Sequence, residues 1–465
     1  MNPTRREFIQ TVGVTAGASA LTRRAIASSD DGGAANKQPN ILLLFPDQHR
    51  FDWLGTTKGL PVHTPNIDRL AARGVQFTNA VCPSPVCAPS RACLASGKEY
   101  DRCRVPHNGV NYPLDQPTFY QMLRQSGYYV TGCGKFDLHK ASPTWGLDGR
   151  TNLDDWGFDD GIDNAGKWDA INSGREIPQD PYMAYLHDHN LAQMHVEDFL
   201  KRRKIKATFA TPLPDPAYCD NWIGQNGLFL LRRTPKNKPW FMQVNFTGPH
   251  DPVDITQSMS KLYEAVDFPQ PNRNTQFDAE KHIEIRRNYS AMVENIDRWV
   301  GVYMQELERR GELGNTLVVF SSDHGEMLGD HDRWGKNQPY QPSSGVPLVV
   351  SGPGVAQSNI NNNPTTTLDL AATFLESAGV PVPNEMDSQS LWPILSGKSQ
   401  QTREHVFSGL DPWRMVDDGR YKLVINHGKD KETMLFDRIN DPLENNNLAE
   451  KEPAQIKRLR KLLMV

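Results

Sequence analysis

The chain has 465 residues, of which 38% are hydrophobic, a formal net charge of -4 and a pI near 6.4. This length exceeds what one simple core needs and suits a large domain with a smaller one. The charge balance gives no basic face, which argues against nucleic acid as a partner and favours a small or carbohydrate-like substrate.

The first 38 residues differ from the rest of the chain. Arg5 and Arg6 precede a short apolar run over residues 12–21, and an Ala-Ile-Ala segment at residues 25–27 comes before a polar spacer. This order is typical of a twin-arginine export signal with a small-residue cleavage site. We therefore expect the Tat translocase to carry the protein to the periplasm or the medium. A transmembrane or amphipathic helix fits less well, because the run is short and rich in Gly, Ala and Thr, and no later segment is long and apolar enough to span a bilayer.

Continuous apolar runs predict four strands that are buried on both faces, as in a parallel sheet. Each run ends abruptly in polar or ionisable residues. The four predicted strands are residues 40–45, 128–133, 239–246 and 316–322. Helical patterns lie between or beside them, at residues 66–73, 119–125 and 283–310, and a further strand pattern at 346–352 is followed by a helical pattern at 365–378.

This alternation predicts an α/β fold with a large, mostly parallel sheet flanked by helices on both faces. Ligands of such sheets bind outside the carboxyl ends of the strands, so the polar residues that follow the four strands should converge on one edge. After residue 395 the pattern changes to short strand-like pieces and a final helix at 452–463. We therefore predict a main domain over residues 39–395 and a small α+β subdomain with antiparallel strands over residues 396–465.

Two of the strand ends carry candidate metal ligands. Asp47 and Gln48 follow the first strand, and Asp323 and His324 follow the fourth. Oxygen ligands without cysteine favour Ca²⁺ or Mg²⁺, and the histidine leaves Mn²⁺ open. The alternative is that these acids cap helices or serve as turn residues. That alternative explains one pair well but explains less well why both pairs follow buried strands.

Cationic and imidazole side chains lie beside the same strand ends. Near a divalent ion, such groups suit an oxyanionic ligand whose charge they share. Taken singly, each one is more simply a solvated lysine or a hydrogen-bonded histidine, so only the set supports the interpretation. The candidates are Lys135, His139, His250, His331 and Lys336.

Cys87 lies in the pattern Cys-x-Pro-Ser-Arg, with Arg91 close by. Several prolines precede residue 90, so we expect the helix to begin with residues 92–96 and Cys87 to lie just ahead of it. Amides and the helix dipole favour negative charge there, which suits a reactive group that attacks an anion. A buried thiol, or a disulfide to Cys82 or Cys93, stays open as the alternative.

The Cys-x-Pro-Ser-Arg core, followed by Ser96-Gly97, resembles the sulfatase motif, in which the cysteine is oxidised to formylglycine. Four further segments resemble that family's other motifs, in the same order. They are PNILLLFPDQ, TGCGKFDLH, FTGPHDP and SSDHGEMLGDHDRWGK. The resemblance extends along nearly the whole chain after the leader and implies an alkaline-phosphatase-like fold, in agreement with the predicted sheet.

The resemblance also implies roles for individual residues. Cys87 becomes formylglycine through a formylglycine-generating or sulfatase-maturing enzyme, and its hydrate attacks sulfur, releases the alcohol and then expels sulfate. A plain thiolate has no second hydroxyl with which to expel the sulfate. Arg91 orients the nucleophile, and the four strand-end ligands described above bind Ca²⁺. Lys135, His250 and Lys336 hold the sulfate and protonate the departing alcohol. His331 is a further candidate for substrate binding.

The sequence departs from the common sulfatase pattern at several positions. Gln48 replaces a second aspartate, as in a subset of the family, and lowers the negative charge on the metal. Asp137 stands where a histidine is usual, and His139 follows two residues later. Positions 137 and 139 point the same way on an extended segment, so we expect His139 to take over that role. Ala95 and Lys98 also differ from the usual residues, but the core of the motif is intact.

The sequence therefore predicts an exported hydrolase that removes sulfate from a sulfated carbohydrate. A phosphonate monoester or phosphodiester hydrolase of the same superfamily is the second hypothesis, because it shares the aldehyde, the metal and an Asp-Gln pair. A third hypothesis is a non-catalytic protein that binds sulfated glycans and in which Cys87 is never oxidised. The intact metal set and the two lysines argue against the third hypothesis.

Overall fold

The computed structural model describes residues 38–202, 207–428 and 431–463. Residues 1–37, which carry the predicted export signal, lie outside the described part of the chain. From Gln38 onward the chain forms one compact unit. None of the helices in the described ranges has the length and apolar character needed to cross a bilayer.

The strands alternate with helices along most of the chain. The strands are β1 (Asn40–Leu44), β2 (Gly74–Phe77), β3 (Ala80–Val81), β4 (Tyr129–Gly134), β5 (Asp160–Asp163), β6 (Trp240–Asn245), β7 (Thr316–Ser321), β8 (Leu348–Ser351), β9 (Asn359–Asn361), β10 (Thr365–Thr366), β11 (Val406–Leu410), β12 (Trp413–Asp417), β13 (Tyr421–Asn426) and β14 (Thr433–Asp437). The helices are α1 (Pro65–Ala72), α2 (Cys87–Ser96), α3 (Phe119–Gln125), α4 (Leu153–Trp156), α5 (Lys167–Gly174), α6 (Pro181–Asp188), α7 (Ala192–Lys201), α8 (Cys219–Arg233), α9 (Gln257–Ser260), α10 (Ala279–Arg310), α11 (Gln341–Ser344), α12 (Leu370–Ser377), α13 (Trp392–Leu395) and α14 (Pro453–Leu462).

An eight-stranded mixed sheet forms the centre, in the order β5-β4-β6-β1-β7-β8-β2-β9. The first five strands in that order are parallel to one another, whereas β8 runs antiparallel to both β7 and β2. The predicted mostly parallel sheet is therefore confirmed. The four strands predicted to end in polar residues, β4, β6, β1 and β7, are direct neighbours in this order.

The side chains of β1 show why this strand needs a continuous apolar sequence. Ile41 and Leu43 pack into a core on one face of the sheet, which α2, α3 and α12 cover. Leu42 and Leu44 pack into a second core on the other face, which α1, α8 and α10 cover. Because both faces are buried, alternation with polar residues is excluded.

Two details differ from the sequence prediction. The helix predicted for residues 365–378 begins only at Leu370, because strand β10 and a 3-10 turn precede it. The C-terminal antiparallel sheet contains a fourth strand, β14, which pairs with β13. Charged residues around β14 concealed its short apolar pattern. The domain boundary near residue 396 stays a prediction.

Gly134 ends β4 and directly precedes Lys135, and we expect Gly134→Ala to destabilise the fold strongly. Gly134 has φ +105°, and a Cβ there would collide with the backbone oxygen of Asn245 on β6. Gly127 is a matched control, because its φ is +98° and a Cβ at that residue would have nothing within 4 Å of it. Gly127→Ala should therefore cost only the backbone strain, about 1–2 kcal/mol of the free energy of unfolding.

Gly134→Ala should lose at least about 2 kcal/mol more, in the range of other overpacked cores. Urea unfolding of the two variants measures the difference. Equal losses would contradict the close approach between the two strands.

Candidate active site

The carboxyl ends of the four neighbouring strands meet at one edge of the sheet, as predicted. Asp47 follows β1, Lys135 follows β4, and His250 lies in the loop after β6. Asp323 and His324 follow β7. The strand direction continues beyond β1, since Asp47 forms an isolated parallel bridge with Pro249. The sheet thus carries the acidic and the basic residues to one place.

Cys87 reaches the same edge from helix α2, which begins at Cys87 itself and not at residue 92 as expected. Val86 is the extended residue before the helix. The prediction was wrong because it treated Pro89 as a helix breaker. Pro89 is the third helical residue, and the N–H that proline lacks has no partner within the helix in the first turn. The structure has no disulfide from Cys87 to Cys82 or Cys93.

The Cys87 thiol is buried among charged groups. Its Sγ lies 2.9 Å from Lys336 Nζ, 3.3 Å from His324 Nε2 and 3.8 Å from Asp47 Oδ1. Burial and the Asp47 charge raise the pKa of the thiol, but Lys135, Lys336 and His324 outweigh them and hold the pKa well below its usual value. The surroundings therefore stabilise negative charge at the position of Sγ.

The acidic residues around Cys87 form a cluster that fits a divalent cation. The ligand atoms of Asp47, Cys87, Asp323 and His324 all lie within 4.8 Å of one another, and all four residues are buried. Asp47 Oδ1 and Asp323 Oδ2 are each 3.6 Å from His324 Nε2. Two carboxylate oxygens facing inward beside an imidazole can surround one ion, and hard oxygen donors suit Ca²⁺.

The Arg91 guanidinium pairs with both carboxylates, Asp47 and Asp323. Its Nε donates to Asp323 Oδ2 at 2.9 Å, and its Nη2 lies 3.4 Å from Asp47 Oδ2. Nη1 donates to the Lys135 carbonyl at 2.5 Å and to Asn245 Oδ1 at 3.2 Å. The guanidinium is buried, and its partners lie on or just after β1, β4, β6 and β7. Arg91 therefore fixes the strand ends relative to helix α2.

Gln48 is oriented by a residue that the sequence analysis missed. Gln48 Oε1 accepts a hydrogen bond from Lys336 Nζ at 2.9 Å, and Gln48 Nε2 donates to Glu326 Oε2. Glu326 Oε1 accepts from the backbone N–H groups of Leu328 and Gly335, at 3.0 and 2.6 Å. One buried carboxylate thus sets the direction of the Gln48 amide and ties down the loop that carries Lys336. Its place directly after Asp-His-Gly was the available signal.

We expect Glu326→Gln to lower the kcat/KM of the enzyme by about 10- to 100-fold, the usual effect of removing a group that orients a ligand. The amide of the new side chain can no longer accept from all three donors, so the Gln48 oxygen loses its fixed direction. Glu306→Gln is the control, because Glu306 is also buried and paired with arginines but lies on α10 away from the site. It should lose stability and keep its kcat/KM. Equal kinetic losses would contradict the assignment.

Two lysines and a histidine face Cys87. Lys135 Nζ forms ion pairs with Asp47 and Asp137, and Lys336 Nζ lies 2.6 Å from His250 Nε2. Burial lowers the pKa of each lysine, but neighbouring negative groups outweigh burial and raise both pKa values. His250 Nδ1 donates to the Asp251 carbonyl at 2.6 Å, so Nε2 is the acceptor for the Lys336 ammonium.

His139 and His331 do not join this group. Asp137 has φ +55°, so the backbone is not extended there, and the argument that positions 137 and 139 share one direction was wrong. His139 Nδ1 instead lies 2.8 Å from Asn152 Nδ2. The His331 ring stacks on Tyr340 at 4.2 Å, and its Nε2 lies 3.0 Å from the Leu443 carbonyl.

A cavity of about 170 Å³ opens above Cys87. Its wall includes residues that strand and motif patterns did not indicate, because they lie in loops and at the start of α5. Asn108 is one of these, and its Oδ1 accepts from the Ala88 N–H in the first turn of α2. The residues that line the cavity are Cys87, Asn108, Lys135, Lys140, Gly166, Lys167, Trp168, Asp169, Thr247, His250 and Lys336.

Known proteins are similar to this chain in sequence and in fold. A family model described as Sulfatase matches residues 39–380, and one described as N-sulphoglucosamine sulphohydrolase, C-terminal, matches residues 329–464. Choline-sulfatase of Rhizobium meliloti is 29% identical over 89% of this chain and 83% of its own length. N-acetylglucosamine-6-O-sulfatase of Bacteroides thetaiotaomicron is 25% identical over 89% of this chain and 83% of its own length.

Among solved structures, phosphonate monoester hydrolase of Agrobacterium radiobacter has the same fold, with a TM-score of 0.77 at 23% identity over 92% of this chain and 95% of that chain. The family match covers most of the chain and includes the strand ends, helix α2 and Cys87. The resemblance inferred from the motifs is therefore confirmed, and this chain belongs to the sulfatase family of sulfuric ester hydrolases.

Proposed function

We propose that this protein removes sulfate from a sulfated carbohydrate, with a formylglycine made from Cys87 and a bound Ca²⁺. The observation that carries the proposal is the position of Cys87. Its Sγ lies at the first residue of helix α2, in contact with Lys336 on one side and with the acidic cluster on the other. A nucleophile and the groups that neutralise a sulfate are therefore adjacent.

The residues of the chain divide the work by charge. Asp47, Gln48, Asp323 and His324 would hold the Ca²⁺, which supplies a Lewis acid for the sulfate oxygens. A formylglycine hydrate at position 87 would supply one hydroxyl for attack on sulfur and a second hydroxyl for release of the sulfate.

The basic residues act on the substrate. Lys135 and Lys336 neutralise the sulfate, because both are cationic and lie beside Cys87. The hydrogen-bonded pair of Lys336 and His250 supplies the proton that the departing alcohol needs. Arg91 acts through Asp47 and Asp323, whose carboxylates it holds in place.

The cavity wall supports a sugar as the alcohol. Its loops provide amide, carboxylate, ammonium and hydroxyl groups, which suit the several hydroxyls of a sugar ring. Trp168 is the one Trp, Tyr or Phe side chain among the described residues that line the cavity, and one ring can stack on a sugar face. Quaternary ammonium groups are bound by aromatic cages, and the lysines in the wall oppose a cation. A sugar therefore fits better than choline, although a relative is named for choline sulfate.

The proposal includes export and maturation. A twin-arginine signal would deliver the folded protein to the periplasm or the medium, after a formylglycine-generating or sulfatase-maturing enzyme has acted on Cys87 in the cytosol. The burial of Cys87 in the folded chain supports this order of events. A maturing enzyme that recognises the Cys-x-Pro-Ser-Arg core must reach Cys87 before the chain folds.

The test is expression beside a formylglycine-generating enzyme, followed by mass analysis of the tryptic peptide from Gly74 to Arg91 and trapping of its carbonyl. Aldehyde-bearing protein, loaded with Ca²⁺ after chelation, is then assayed on 4-nitrophenyl sulfate and on bis(4-nitrophenyl) phosphate. We expect an aldehyde, Ca²⁺-dependent turnover and a higher kcat/KM on the sulfate. A higher kcat/KM on the phosphate diester would favour a phosphodiester hydrolase, and binding of sulfated sugars by protein that never forms the aldehyde would favour a binding protein.

A further inference from the structure

Lys140 lies in the cavity wall in a position that the proposed reaction does not use. Its Nζ lies 3.1 and 3.2 Å from the two carboxylate oxygens of Asp137 and 2.7 Å from Asp169 Oδ2. The side chain is 11% exposed, so the ammonium is mostly shielded from water but reaches the cavity. No sequence motif indicated this residue.

Lys140 belongs to a row of alternating charges that runs from the buried acidic cluster to the partly exposed Asp169. Asp47 pairs with Lys135, and Lys135 and Lys140 each lie 3.1 Å from the same oxygen of Asp137, Oδ2. Asp169, the last member, is 33% exposed. Lys140 is therefore one carboxylate farther from the acidic cluster than Lys135, and its side chain is more exposed, at 11% against 3%.

The hydrogen bonds of Lys140 leave one of its protons for a ligand. An ammonium group has three N–H donors. The two oxygens of Asp137, seen from Nζ, are separated by a much smaller angle than two N–H bonds, so one proton serves both of them. Asp169 takes the second proton. In the described part of the chain, no other acceptor lies within hydrogen-bond distance of Nζ.

Lys167, in the same cavity wall, shows the contrasting case. Its Nζ donates to Asp254 Oδ1 at 2.6 Å and to the carbonyls of His250 and Pro252 at 3.1 and 3.3 Å. All three of its protons have acceptors in the protein. Lys167 thus holds the loop that carries His250, whereas Lys140 keeps a donor for the substrate.

We propose that Lys140 donates its third proton to an oxygen of the alcohol part of the sulfate ester, and so selects alcohols with a hydroxyl or ring oxygen near the esterified carbon. This inference rests on the proposed function. The sulfate lies beside Cys87, Lys135 and Lys336, so the alcohol extends toward the opening, where Lys140 lies with Trp168 and Asp169. A simple aryl ester offers Lys140 no such oxygen.

The experiment compares kcat/KM for 4-nitrophenyl sulfate and for a panel of monosaccharide monosulfates, in aldehyde-bearing wild type, Lys140→Met and Lys167→Met. For the sugar ester that the wild type cleaves best, Lys140→Met should lose about 10- to 100-fold, the scale of one charge-assisted hydrogen bond. It should lose less than about threefold on the aryl ester. Lys167→Met should lose similar factors on both esters, because it loosens the His250 loop.

Several outcomes would overturn the inference. Equal losses on both esters in Lys140→Met would make Lys140 a structural member of the charge row. If the wild type cleaves the aryl ester but none of the sugar esters, the proposed role of Lys140 in sugar selection is wrong, whereas the proposed hydrolysis of sulfate esters is still supported. Absence of turnover on every ester would overturn the proposed function as well. If Lys140→Met does not fold, Lys140→Gln, whose side chain is shorter and uncharged, should show the same selective loss.

Discussion

Cys87→Ser protein is expected to lose at least about 10³-fold in steady-state kcat, the scale seen when a nucleophile is removed. Serine can attack sulfur, but its single oxygen becomes bonded to sulfur and no second hydroxyl remains to expel the sulfate. The variant should therefore complete at most one turnover and gain the mass of one sulfo group on the peptide from Gly74 to Arg91. Mass analysis after incubation with 4-nitrophenyl sulfate measures this gain.

Cys82→Ala provides the control for this prediction. Cys82 is a buried cysteine five residues earlier, and it does not line the cavity. Burial and the Asp323 charge raise the pKa of its thiol, so it is not poised to react. The variant should lose some stability and retain aldehyde formation and turnover. Sustained turnover by Cys87→Ser at more than a few per cent of wild type would contradict the need for two hydroxyls.

Arg91→Met is expected to lower the free energy of unfolding by about 3–5 kcal/mol, because removing one partner of a buried ion pair leaves uncompensated charge. Asp47 and Asp323 are both fully buried, and Arg91 contacts both. The same substitution frees the end of β4 by removing the bond to the Lys135 carbonyl. Turnover should fall with stability, since Lys135 and helix α2 lose the bond that fixes their relative positions. Urea unfolding measures the first effect and kcat/KM the second.

The response of stability to Ca²⁺ distinguishes the loss of the Arg91 ion pairs from general damage to the core. A bound divalent ion would neutralise the carboxylates that Arg91 leaves unpaired, so Ca²⁺ should stabilise Arg91→Met at least as much as it stabilises wild type. Arg202→Met is the matched control, because Arg202 is fully buried and paired with Asp198 on α7, outside the site. Ca²⁺ should stabilise Arg202→Met by the same amount as it stabilises wild type. An Arg91→Met protein within about 1 kcal/mol of wild type would contradict the buried-pair argument.

Regular structure explains which parts of the site could be predicted. Asp47 and Asp323 follow long apolar runs, and the physics of parallel sheets places the ends of such runs at one edge. The Cys-x-Pro-Ser-Arg motif indicated Cys87 as well. The start of α2 was misplaced because Pro89 was treated as a breaker, although its position in the first turn is compatible with a helix.

Irregular structure explains what the sequence did not reveal. Lys140 and Asp169 meet across a loop in which Asp137 adopts a left-handed backbone conformation. No periodic pattern encodes that conformation, so neither the contact nor the failure of His139 to reach the site could be derived. Glu326 was hidden for a different reason, since its role depends on a hydrogen bond to a side chain 278 residues away.

The adjacency of β4, β6, β1 and β7 has a consequence for how such a protein diversifies. The catalytic residues follow strands that are hydrogen-bonded to one another and packed against two shared cores. A change in one strand therefore disturbs the neighbouring strands. The wall that meets the alcohol is made of loops and the start of α5, which can lengthen or change without disturbing the sheet. The catalytic residues on the sheet can therefore stay the same in evolution, while changes in the loops adapt the enzyme to other sugars.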